Sequence, residues 1–371
     1  MPKIIDLFAG AGGISLGAAR AGFEISAAVE LDEFAVQTHT KNFPKSQHLI
    51  EDVSKLTGEM LLKLAKVHAD ELTGLVGGPP CQGFSSMGKR DVADQRNNLF
   101  DHFFRLVNET RPAFFLAENV PGILDPQYNE IRQQAFSHID KDVYTLLDPI
   151  EVKASLYGAP TTRTRIFFFG YDPLRFSQEI TKEDFLPLPE VIPVFVETAL
   201  KGLPIYIDPN WIQEKDGWRP IEDQPTGLFF DRVSNLVPDD IGDQESLERF
   251  FGYSEVSGCM GTRHSRVVED RYHALAFGQK DQISKAVRLN PNGFCPTLRA
   301  GTAKDKGSYQ AVRPIHFNSP RVITPREAAR LQGFPDWFVF HHTKWHSFRQ
   351  IGNSVSPIVS EEIFQRIIDK L

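Results

Sequence analysis

A cysteine in a stiffened loop is the residue of this sequence best placed for nucleophilic chemistry. Cys81 lies in the stretch Gly77–Ser85, which reads Gly-Gly-Pro-Pro-Cys-Gln-Gly-Phe-Ser. The glycines end an apolar run and the prolines stiffen the turn that follows, so we expect the thiol at the edge of a loop. Exposure near a helix start or a cation favours the reactive thiolate, whereas a buried structural cysteine needs no such turn. The stretch therefore predicts a nucleophilic cysteine.

A carboxylate and two arginines form a second group of candidates. Glu118 follows the apolar run Ala113–Ala117, so it is expected at the carboxyl end of a strand. It could be a solvated loop residue, or it could donate or shuttle a proton in a partly desolvated pocket. Arg163 and Arg165 alternate across the start of the apolar strand Arg165–Tyr171. One could hold a carbonyl oxygen or a phosphate while the other faces a different partner.

A glycine-rich turn, Asp6–Gly13, follows an apolar strand and opens a helical pattern. Its glycines let a ligand approach the backbone at the carboxyl end of a strand. Glu30 ends the next strand, twenty positions after Gly10, where a carboxylate can accept hydrogen bonds from ribose hydroxyls. A dinucleotide-binding fold is the alternative, but Ser15 occupies the third fingerprint position and a doubled glycine alters the spacing. A nucleoside cofactor without a pyrophosphate fits this turn at least as well.

Short apolar runs alternate with helical patterns over the first part of the chain, which predicts an α/β fold, a parallel sheet with helices on its faces. The predicted strands are Lys3–Phe8, Glu24–Val29, Leu75–Gly77 and Ala113–Ala117, and the predicted helices are Ile14–Ala21, Phe34–Phe43 and Leu99–Thr110. Residues 172–251 are irregular and rich in Pro and Asp, which indicates a loop-rich second region. A helix over Thr324–Leu331, with Thr324 as N-cap, and a closing amphipathic helix over Pro357–Leu371 follow.

The composition excludes several classes of protein. Of 371 residues, 41% are hydrophobic, which is enough for a sizeable core and excludes a disordered or fibrous chain. No run approaches the roughly 18 apolar residues of a membrane span, and Ile4–Phe8 is too short for a signal peptide. Three widely spaced cysteines argue against a disulfide framework and a zinc site, so we expect a reducing cytosol and no metal.

The net charge of −7 hides an asymmetry along the chain. Gly258–Gln350 carries 15 basic and 6 acidic residues, a balance of +9, so the rest of the chain carries −16. Within that rest, Asp172–Gly258 holds 7 basic and 18 acidic residues. A basic block beside an acidic one indicates one face for an anionic partner, although two ordinary solvated surfaces would give the same counts.

Six stretches in their order along the chain resemble those of the DNA (cytosine-5) methyltransferases. They are the glycine turn, the Cys81 stretch, Glu118–Val120, the strand that begins with Arg163 and Arg165, and the stretches 326–335 and 350–355. The match runs from end to end and is interrupted by the irregular middle. The compact size is similar to that of prokaryotic restriction-modification enzymes.

The resemblance implies a Rossmann-like sheet that binds S-adenosylmethionine in a catalytic domain, residues 1–171 and 322–371. It implies a smaller target-recognition domain over residues 172–321. The implied reaction is methyl transfer to carbon 5 of a cytosine flipped out of a specific duplex DNA sequence, through a covalent Cys81 adduct. The cofactor pocket would be lined by Phe8, Gly10, Gly12, Glu30, Asp52, Pro80, Asn353 and Val355.

The resemblance also gives each catalytic residue a role. Glu118 would bond ring nitrogen 3 and the exocyclic amine of cytosine, and Arg165 would hold the carbonyl oxygen. Arg163 would support Cys81 and the loop that follows it. DNA contacts are expected in that loop and in the basic segment, at Gln82, Ser85, Arg263, Arg266, Thr297, Leu298 and Arg299.

Two departures from the family pattern concern local packing. Thr161 stands where the family often has Gln, and Ser356 separates Val355 from Pro357. The family type further implies a cytoplasmic monomer that is paired in function with a restriction endonuclease of the same specificity. No stable protein partner and no membrane are expected.

Two other functions remain open from the sequence. An RNA cytosine-5 methyltransferase would use the same thiol chemistry, but that branch lacks a sizeable recognition domain, and a long stretch separates Arg165 from Arg326 here. A non-catalytic DNA-binding protein on a decayed fold is the other, and the intact set of Cys81, Glu118, Arg163 and Arg165 argues against it.

Overall fold

The computed structural model describes residues 1–80, 98–208, 211, 215–221, 223–301 and 313–371. They form two compact units. Unit 1 comprises Met1–Lys153, Thr164–Pro189 and Ser360–Leu371, and unit 2 comprises Ala154–Arg163 and Glu190–Val359. This division groups residues 322–359 with the irregular middle of the chain, whereas the sequence analysis placed them in the catalytic domain. The functional division into domains stays a prediction.

Unit 1 is built on an eight-stranded sheet among the described residues. Its strands are β1 (Lys3–Leu7), β2 (Glu24–Val29), β3 (Gln47–Leu49), β4 (Leu72–Gly77), β5 (Phe114–Asn119), β6 (Thr145–Leu146), β7 (Ile150–Lys153) and β8 (Thr164–Tyr171). The spatial order is β3-β2-β1-β4-β5-β8-β6, and β7 also pairs with β8. Strands β1 to β5 pair in parallel, which confirms the predicted α/β class.

The part of the sheet beyond β5, for which the sequence predicted no strand direction, is antiparallel. Strand β8 runs antiparallel to β5, and both β6 and β7 run antiparallel to β8. The short connection between β7 and β8 accounts for the direction of that pair. A parallel pair needs a crossover of about a dozen or more residues, usually with a helix, whereas β7 and β8 are joined only by Ala154–Arg163.

The helices that pack on this sheet come from both ends of the chain. Those of the first half are α1 (Gly13–Arg20), α2 (Glu33–Asn42), α3 (Gly58–Ala65), α4 (Asn98–Thr110) and α5 (Asn129–Phe136). The second half contributes most of α12 (Pro357–Ile368). Unit 2 contains the helices α6 (Val196–Leu200), α7 (Leu228–Phe230), α8 (Gln244–Tyr253), α9 (Arg266–His273), α10 (Pro325–Leu331) and α11 (Lys344–Asn353). Within the described ranges, none of the helices combines the length and apolar character that crossing a bilayer requires.

Helices cover both faces of the sheet, as predicted. Neighbouring strand residues point to opposite faces. Phe115 packs against Phe104 of α4, with ring centroids 5.6 Å apart, whereas Phe114 packs against Phe364 of α12 at 6.4 Å. The backbone of α1 approaches α12 closely, because a Cβ at Gly17 would fall 2.1 Å from a side-chain atom of α12.

Unit 2 has little regular structure, as the irregular sequence indicates. Its described strands are β9 (Arg219–Pro220) and β10 (Glu255–Val256), which pair with each other. The predicted start of α10 is confirmed. Thr324 caps the helix, Pro325 is its first residue, and Glu327 completes a capping box by accepting from the backbone N–H of Thr324.

A chain of buried polar groups lies beneath the glycine turn that follows β1. Asp6 is fully buried in β1 and accepts a hydrogen bond from Oγ of Ser15 at 2.6 Å. Oγ of Ser15 lies 3.1 Å from Nε2 of His39, whose Nδ1 lies 2.9 Å from Nε2 of His48. Desolvation, with the charge of Glu30 adding to it, raises the pKa of Asp6 from 3.8 to about 7. Burial and the neighbouring His48 hold the pKa of His39 well below its usual value.

The aromatic contacts of α4 yield a stability prediction. Phe104 is fully buried and its ring contacts those of Phe100, Phe103, Phe115 and Phe136. Phe104→Ala should lower the free energy of unfolding by about 3–5 kcal/mol, because it leaves a cavity between α4 and the sheet. Chemical denaturation followed by circular dichroism measures this.

The matched control for this variant is Leu174→Ala, at a side chain that is 95% exposed. It should change the free energy of unfolding by less than about 0.5 kcal/mol. Equal losses in the two variants would contradict the packing described here.

Asp6 yields a prediction about pH. Its folded-state pKa lies above its unfolded value, so the folded chain binds the extra proton between about pH 4 and pH 7. Stability therefore falls as pH rises through this window. The side chain of Asp6→Asn stays neutral at every pH and can donate to Ser15. The unfolding free energy of this variant, relative to that of the wild type, should therefore rise by on the order of 3 kcal/mol from pH 4 to pH 7 and then level off. Parallel urea titrations measure the difference, and a difference that stays constant with pH would contradict the burial of an ionisable Asp6.

Candidate functional site

The order of the parallel strands brings the candidate residues of unit 1 to one edge of the sheet. Four candidates follow the carboxyl end of a strand: Asp52 after β3, Glu30 after β2, Gly10 after β1 and Pro80 after β4. Glu118 is the last residue but one of β5. The strand order changes direction between β1 and β4, which is where open parallel sheets bind ligands. The site is therefore a row along this edge, from Asp52 to Glu118.

The glycine turn after β1 has an unusual backbone. Phe8, Gly10 and Gly12 adopt left-handed conformations, with φ of 59°, 57° and 98°. This conformation is strained for phenylalanine and strain of this kind concentrates at functional sites. Gly12 also has no room for a side chain, since a Cβ would fall 2.4 Å from the ring of Phe43, whereas a Cβ at Gly10 would meet no atom within 4 Å. The turn thus presents the backbone at Gly10 to open space.

Glu30 holds this turn against the end of β2. Its Oε2 accepts from the backbone N–H of Gly10 at 3.0 Å, and its Oε1 accepts from those of Leu31 and Asp32 at 2.7 and 2.9 Å. Desolvation raises the pKa of Glu30, and these backbone hydrogen bonds oppose the rise. Because a carboxylate oxygen has two acceptor sites, Oε2 retains capacity for a ligand hydroxyl.

Asp52 caps the short helical turn Val53–Lys55 at the far end of the row. Its Oδ1 accepts from both the backbone N–H and the hydroxyl of Ser54. The hydrogen bond from the Ser54 side chain is the largest cause that lowers the pKa of Asp52, so the carboxylate is an anionic acceptor. The resemblance places this acceptor in the cofactor pocket.

Glu118 is fixed at the other end of the row by an ion pair. Its side chain is 11% exposed, and Oε1 lies 2.5 Å from Nε of Arg165. The partner oxygen, Oε2, would lie 3.0 Å from a Cβ at Gly78, so only glycine leaves it this much room. The amide of Asn119 donates to the backbone oxygen of Pro79 at 3.3 Å. These contacts tie the residues that precede Cys81 to the end of β5.

Arg163 lies in unit 2 and is 3% exposed. Its guanidinium donates to the backbone oxygens of Leu298, Gly352 and Asn353 at 3.3, 2.9 and 3.1 Å. These acceptors belong to the predicted recognition segment and to the predicted cofactor motif. The sequence pattern predicted an arginine with a partner of its own, but it gave no sign that the partners are main-chain carbonyls.

The remaining predicted residues are placed as follows. In unit 2, Asn353, Thr297, Arg299, Arg263 and Arg266 have exposed side chains, whereas Leu298 and Val355 are buried. Cys81, Gln82 and Ser85 lie outside the described residues. Sequence reasoning did not single out His39 and His48, and it did not predict the buried hydrogen bonds of Ser15 beneath the turn. The one signal was Asp6 itself, a carboxylate between the apolar residues Ile5 and Leu7 of β1.

Two of the three cysteines are poorly suited to nucleophilic attack. Cys259 and Cys295 are 1% and 0% exposed. Burial raises the pKa of the Cys259 thiol to about 12, and it raises the pKa of Cys295 as well. Both therefore remain thiols at neutral pH, which leaves Cys81 as the candidate.

Known proteins match the whole chain. The family model for the C-5 cytosine-specific DNA methylases matches residues 2–369. The Type II methyltransferase M.XorII of Xanthomonas oryzae pv. oryzae is 36% identical over 381 residues, covering 100% of this chain and 85% of the relative. The Type II methyltransferase M.DdeI of Desulfomicrobium norvegicum is 32% identical, covering 98% of this chain and 88% of the relative.

A crystal structure shares both sequence and fold with the chain. It is that of a putative DNA modification methyltransferase encoded within an E. coli prophage, with 51% identity, a TM-score of 0.88, and coverage of 100% of this chain and 99% of that one. The Dnmt2 methyltransferase of S. pombe, at 18% identity and a TM-score of 0.62, shares the fold. These matches confirm the predicted family: the chain belongs to the C-5 cytosine-specific DNA methylases and is a DNA cytosine-5 methyltransferase.

Proposed function

We propose that the chain transfers a methyl group from S-adenosylmethionine to carbon 5 of a cytosine flipped out of a specific duplex DNA sequence, through a covalent bond to Cys81. The observation that carries this proposal is the row of residues at the carboxyl edge of the sheet. In that row the glycine turn and Glu30 lie next to the loop that leads to Cys81, and Glu118 follows on the next strand.

The residues at β1 and β2 fit a nucleoside cofactor. The backbone at Gly10 borders open space, and Glu30 retains acceptor capacity on the oxygen that holds the turn. Phe8, Gly10, Gly12, Glu30, Asp52 and Pro80 of unit 1 would hold the cofactor, and the resemblance adds Asn353 and Val355 of unit 2. When bound, S-adenosylmethionine supplies an electrophilic methyl group on a sulfonium.

The remaining chemistry belongs to the chain and to the cytosine. The thiolate of Cys81 adds to carbon 6 of the ring, which gives carbon 5 the electron density to attack the methyl group. A protonated Glu118 stabilises that density by donating to ring nitrogen 3, while its other oxygen accepts from the exocyclic amine. Carbon 5 then loses its proton to water, and the electrons of that C–H bond restore the double bond and expel Cys81 as thiolate.

Arg165 positions Glu118 and is free to serve the substrate with its other nitrogens. Its Nε binds Oε1 of Glu118, and its Nη1 donates to the backbone oxygen of Thr164 at 2.7 Å. A guanidinium offers five donors in a planar fork. We assign its remaining donors to the cytosine carbonyl oxygen.

Extrusion of the cytosine costs a few kcal/mol, which contacts to phosphates and to the vacated partner base must offset. We assign those contacts to the predicted recognition domain, residues 172–321, and to Gln82 and Ser85. Exposed Arg263, Arg266 and Arg299 and the Thr297-Leu298 pair are the candidates on the basic segment. Affinity for DNA should therefore fall steeply with added salt.

The Type II names of the relatives suggest a biological role. We infer that the methyl mark protects DNA from a restriction endonuclease of the same specificity. The proposal includes a cytoplasmic monomer without a stable protein partner.

The first test locates 5-methylcytosine in DNA and compares the wild type with a variant that lacks the Cys81 thiol. Bisulfite sequencing of plasmid DNA from cells that express the chain should show 5-methylcytosine at one short sequence. Cys81→Ser should lower methylation by at least about 10³-fold while duplex binding in a gel-shift assay persists, because serine lacks an accessible anion. The control Cys259→Ser should keep transfer. Full turnover by Cys81→Ser, or methylation of RNA in place of duplex DNA, would contradict the proposal.

The second test separates the chemistry of Glu118 from its role in the ion pair. Glu118→Gln should slow the single-turnover rate of methyl transfer by about 10²–10⁴-fold and weaken DNA binding far less, because glutamine can make the hydrogen bonds but cannot transfer a proton to the activated ring. The control Glu59→Gln, at an exposed position of α3, should leave both unchanged. Equal losses in rate and binding would make Glu118 a scaffold residue.

A further inference from the structure

A single guanidinium holds two segments of unit 2 that the proposed function assigns to different ligands. One Nη of Arg163 donates to the backbone oxygens of both Leu298 and Gly352, and the other donates to that of Asn353. Leu298 belongs to the predicted DNA-recognition pair, and Asn353 to the predicted cofactor motif. The planar fork of arginine fixes the separation of such acceptors more tightly than a flexible ammonium does.

The backbone of Arg163 is itself anchored next to the recognition segment. The N–H of Thr162 donates to the backbone oxygen of Cys295, and the N–H of Cys295 donates to that of Pro160, both at 2.9 Å. The N–H of Ala154 donates to the backbone oxygen of Arg163 at 2.8 Å. Movement of the segment after Cys295 therefore displaces the arginine that also holds Gly352 and Asn353.

A second contact joins the same two segments without a side chain. Gly352, near the end of α11, lies so close to the recognition segment that a Cβ would fall 2.7 Å from the backbone nitrogen of Ala300 and 2.7 Å from the carbonyl carbon of Arg299. Backbone packs directly on backbone here, so neither segment can shift alone.

Each segment has at least one exposed side chain beside its fixed backbone. Thr297 and Arg299 are exposed and flank buried Leu298, whereas the exposed Asn353 precedes buried Ser354 and Val355. The amide of Gln332 donates to the backbone oxygen of Ser354 at 2.8 Å and adds rigidity to the motif. The two exposed surfaces are available to ligands, while the backbone beneath them is shared.

We propose that Arg163 and Gly352 are positioning residues that couple DNA recognition to cofactor binding, an inference that rests on the proposed function. A duplex that orders the segment around Leu298 also orders the carbonyls of Gly352 and Asn353 through the guanidinium. The cofactor then binds a motif that is already ordered, and by linkage the cofactor favours the duplex to the same extent.

The test measures binding without turnover. Calorimetry gives the Kd of S-adenosylhomocysteine with and without a duplex that carries the target mapped by bisulfite sequencing. For the wild type we expect the duplex to tighten binding at least five-fold. Arg163→Lys keeps the charge but cannot reach the three carbonyls together, so the ratio of the two Kd values should fall to nearly one. Gly352→Ala, which forces the two backbones apart, should have the same effect.

Arg326→Lys is the matched control. Arg326 is 2% exposed and likewise donates to three backbone oxygens, those of Ser257, Pro335 and Phe338, but none of these belongs to the two coupled segments. It should lower the thermal midpoint as much as Arg163→Lys does and keep the wild-type ratio. A wild-type ratio of one, an unchanged ratio in Arg163→Lys, or an equal loss in Arg326→Lys would overturn the coupling. These three outcomes can be distinguished from a failure of the proposed function. In that case the wild type would neither bind S-adenosylhomocysteine alone nor produce 5-methylcytosine that bisulfite sequencing detects.

Discussion

The order of the parallel strands is the constraint on which the candidate site depends. Because β1 lies between β2 and β4, the loops after these three strands open at neighbouring points of one sheet edge. A ligand on the glycine turn after β1 therefore adjoins the loop after β4, and Glu118 follows from β5. No single loop of unit 1 holds the whole set of groups, so the reaction proposed here requires this strand order and not only the motifs.

In unit 2, buried arginines donate hydrogen bonds to backbone carbonyls, as strand pairing does in unit 1. The described strands of unit 2 are two residues long, so most of its carbonyls have no ladder partner. Arg163 and Arg326 each satisfy three backbone oxygens, and Arg330 satisfies those of Ala199 and Lys201. Buried carbonyls need such partners, because leaving them without hydrogen bonds is costly.

This use of arginine changes the meaning of the basic segment. The segment Gly258–Gln350 carries a net charge of +9, which favours an anionic partner. However, Arg326 and Arg330 are buried, Arg321 pairs with Glu327, and Arg271 pairs with Asp281. Part of the charge thus stabilises the fold, and charge counting alone cannot separate that part from the exposed arginines.

The sequence predicted the features that depend on local patterns. The glycine turn, the position of Glu118 at the end of a strand and the capped start of α10 follow from spacing and residue type, and the structure confirms them. The sequence did not predict the antiparallel direction of β8, the chain of buried polar contacts that links Asp6 to His48, or the carbonyl partners of Arg163. These depend on contacts between distant parts of the chain, such as the 189 positions between Arg163 and Gly352, which no local pattern encodes.

The proposed reaction requires a covalent bond between Cys81 and the flipped cytosine. A duplex that carries 5-fluorocytosine at the mapped position tests it most directly, because fluorine cannot leave as the proton does and the adduct persists. With S-adenosylmethionine present, mass spectrometry of the digested complex should find the modified base on the peptide that contains Cys81. A conjugate on Cys259 or Cys295, or no conjugate under conditions in which the unmodified duplex is methylated, would contradict the account.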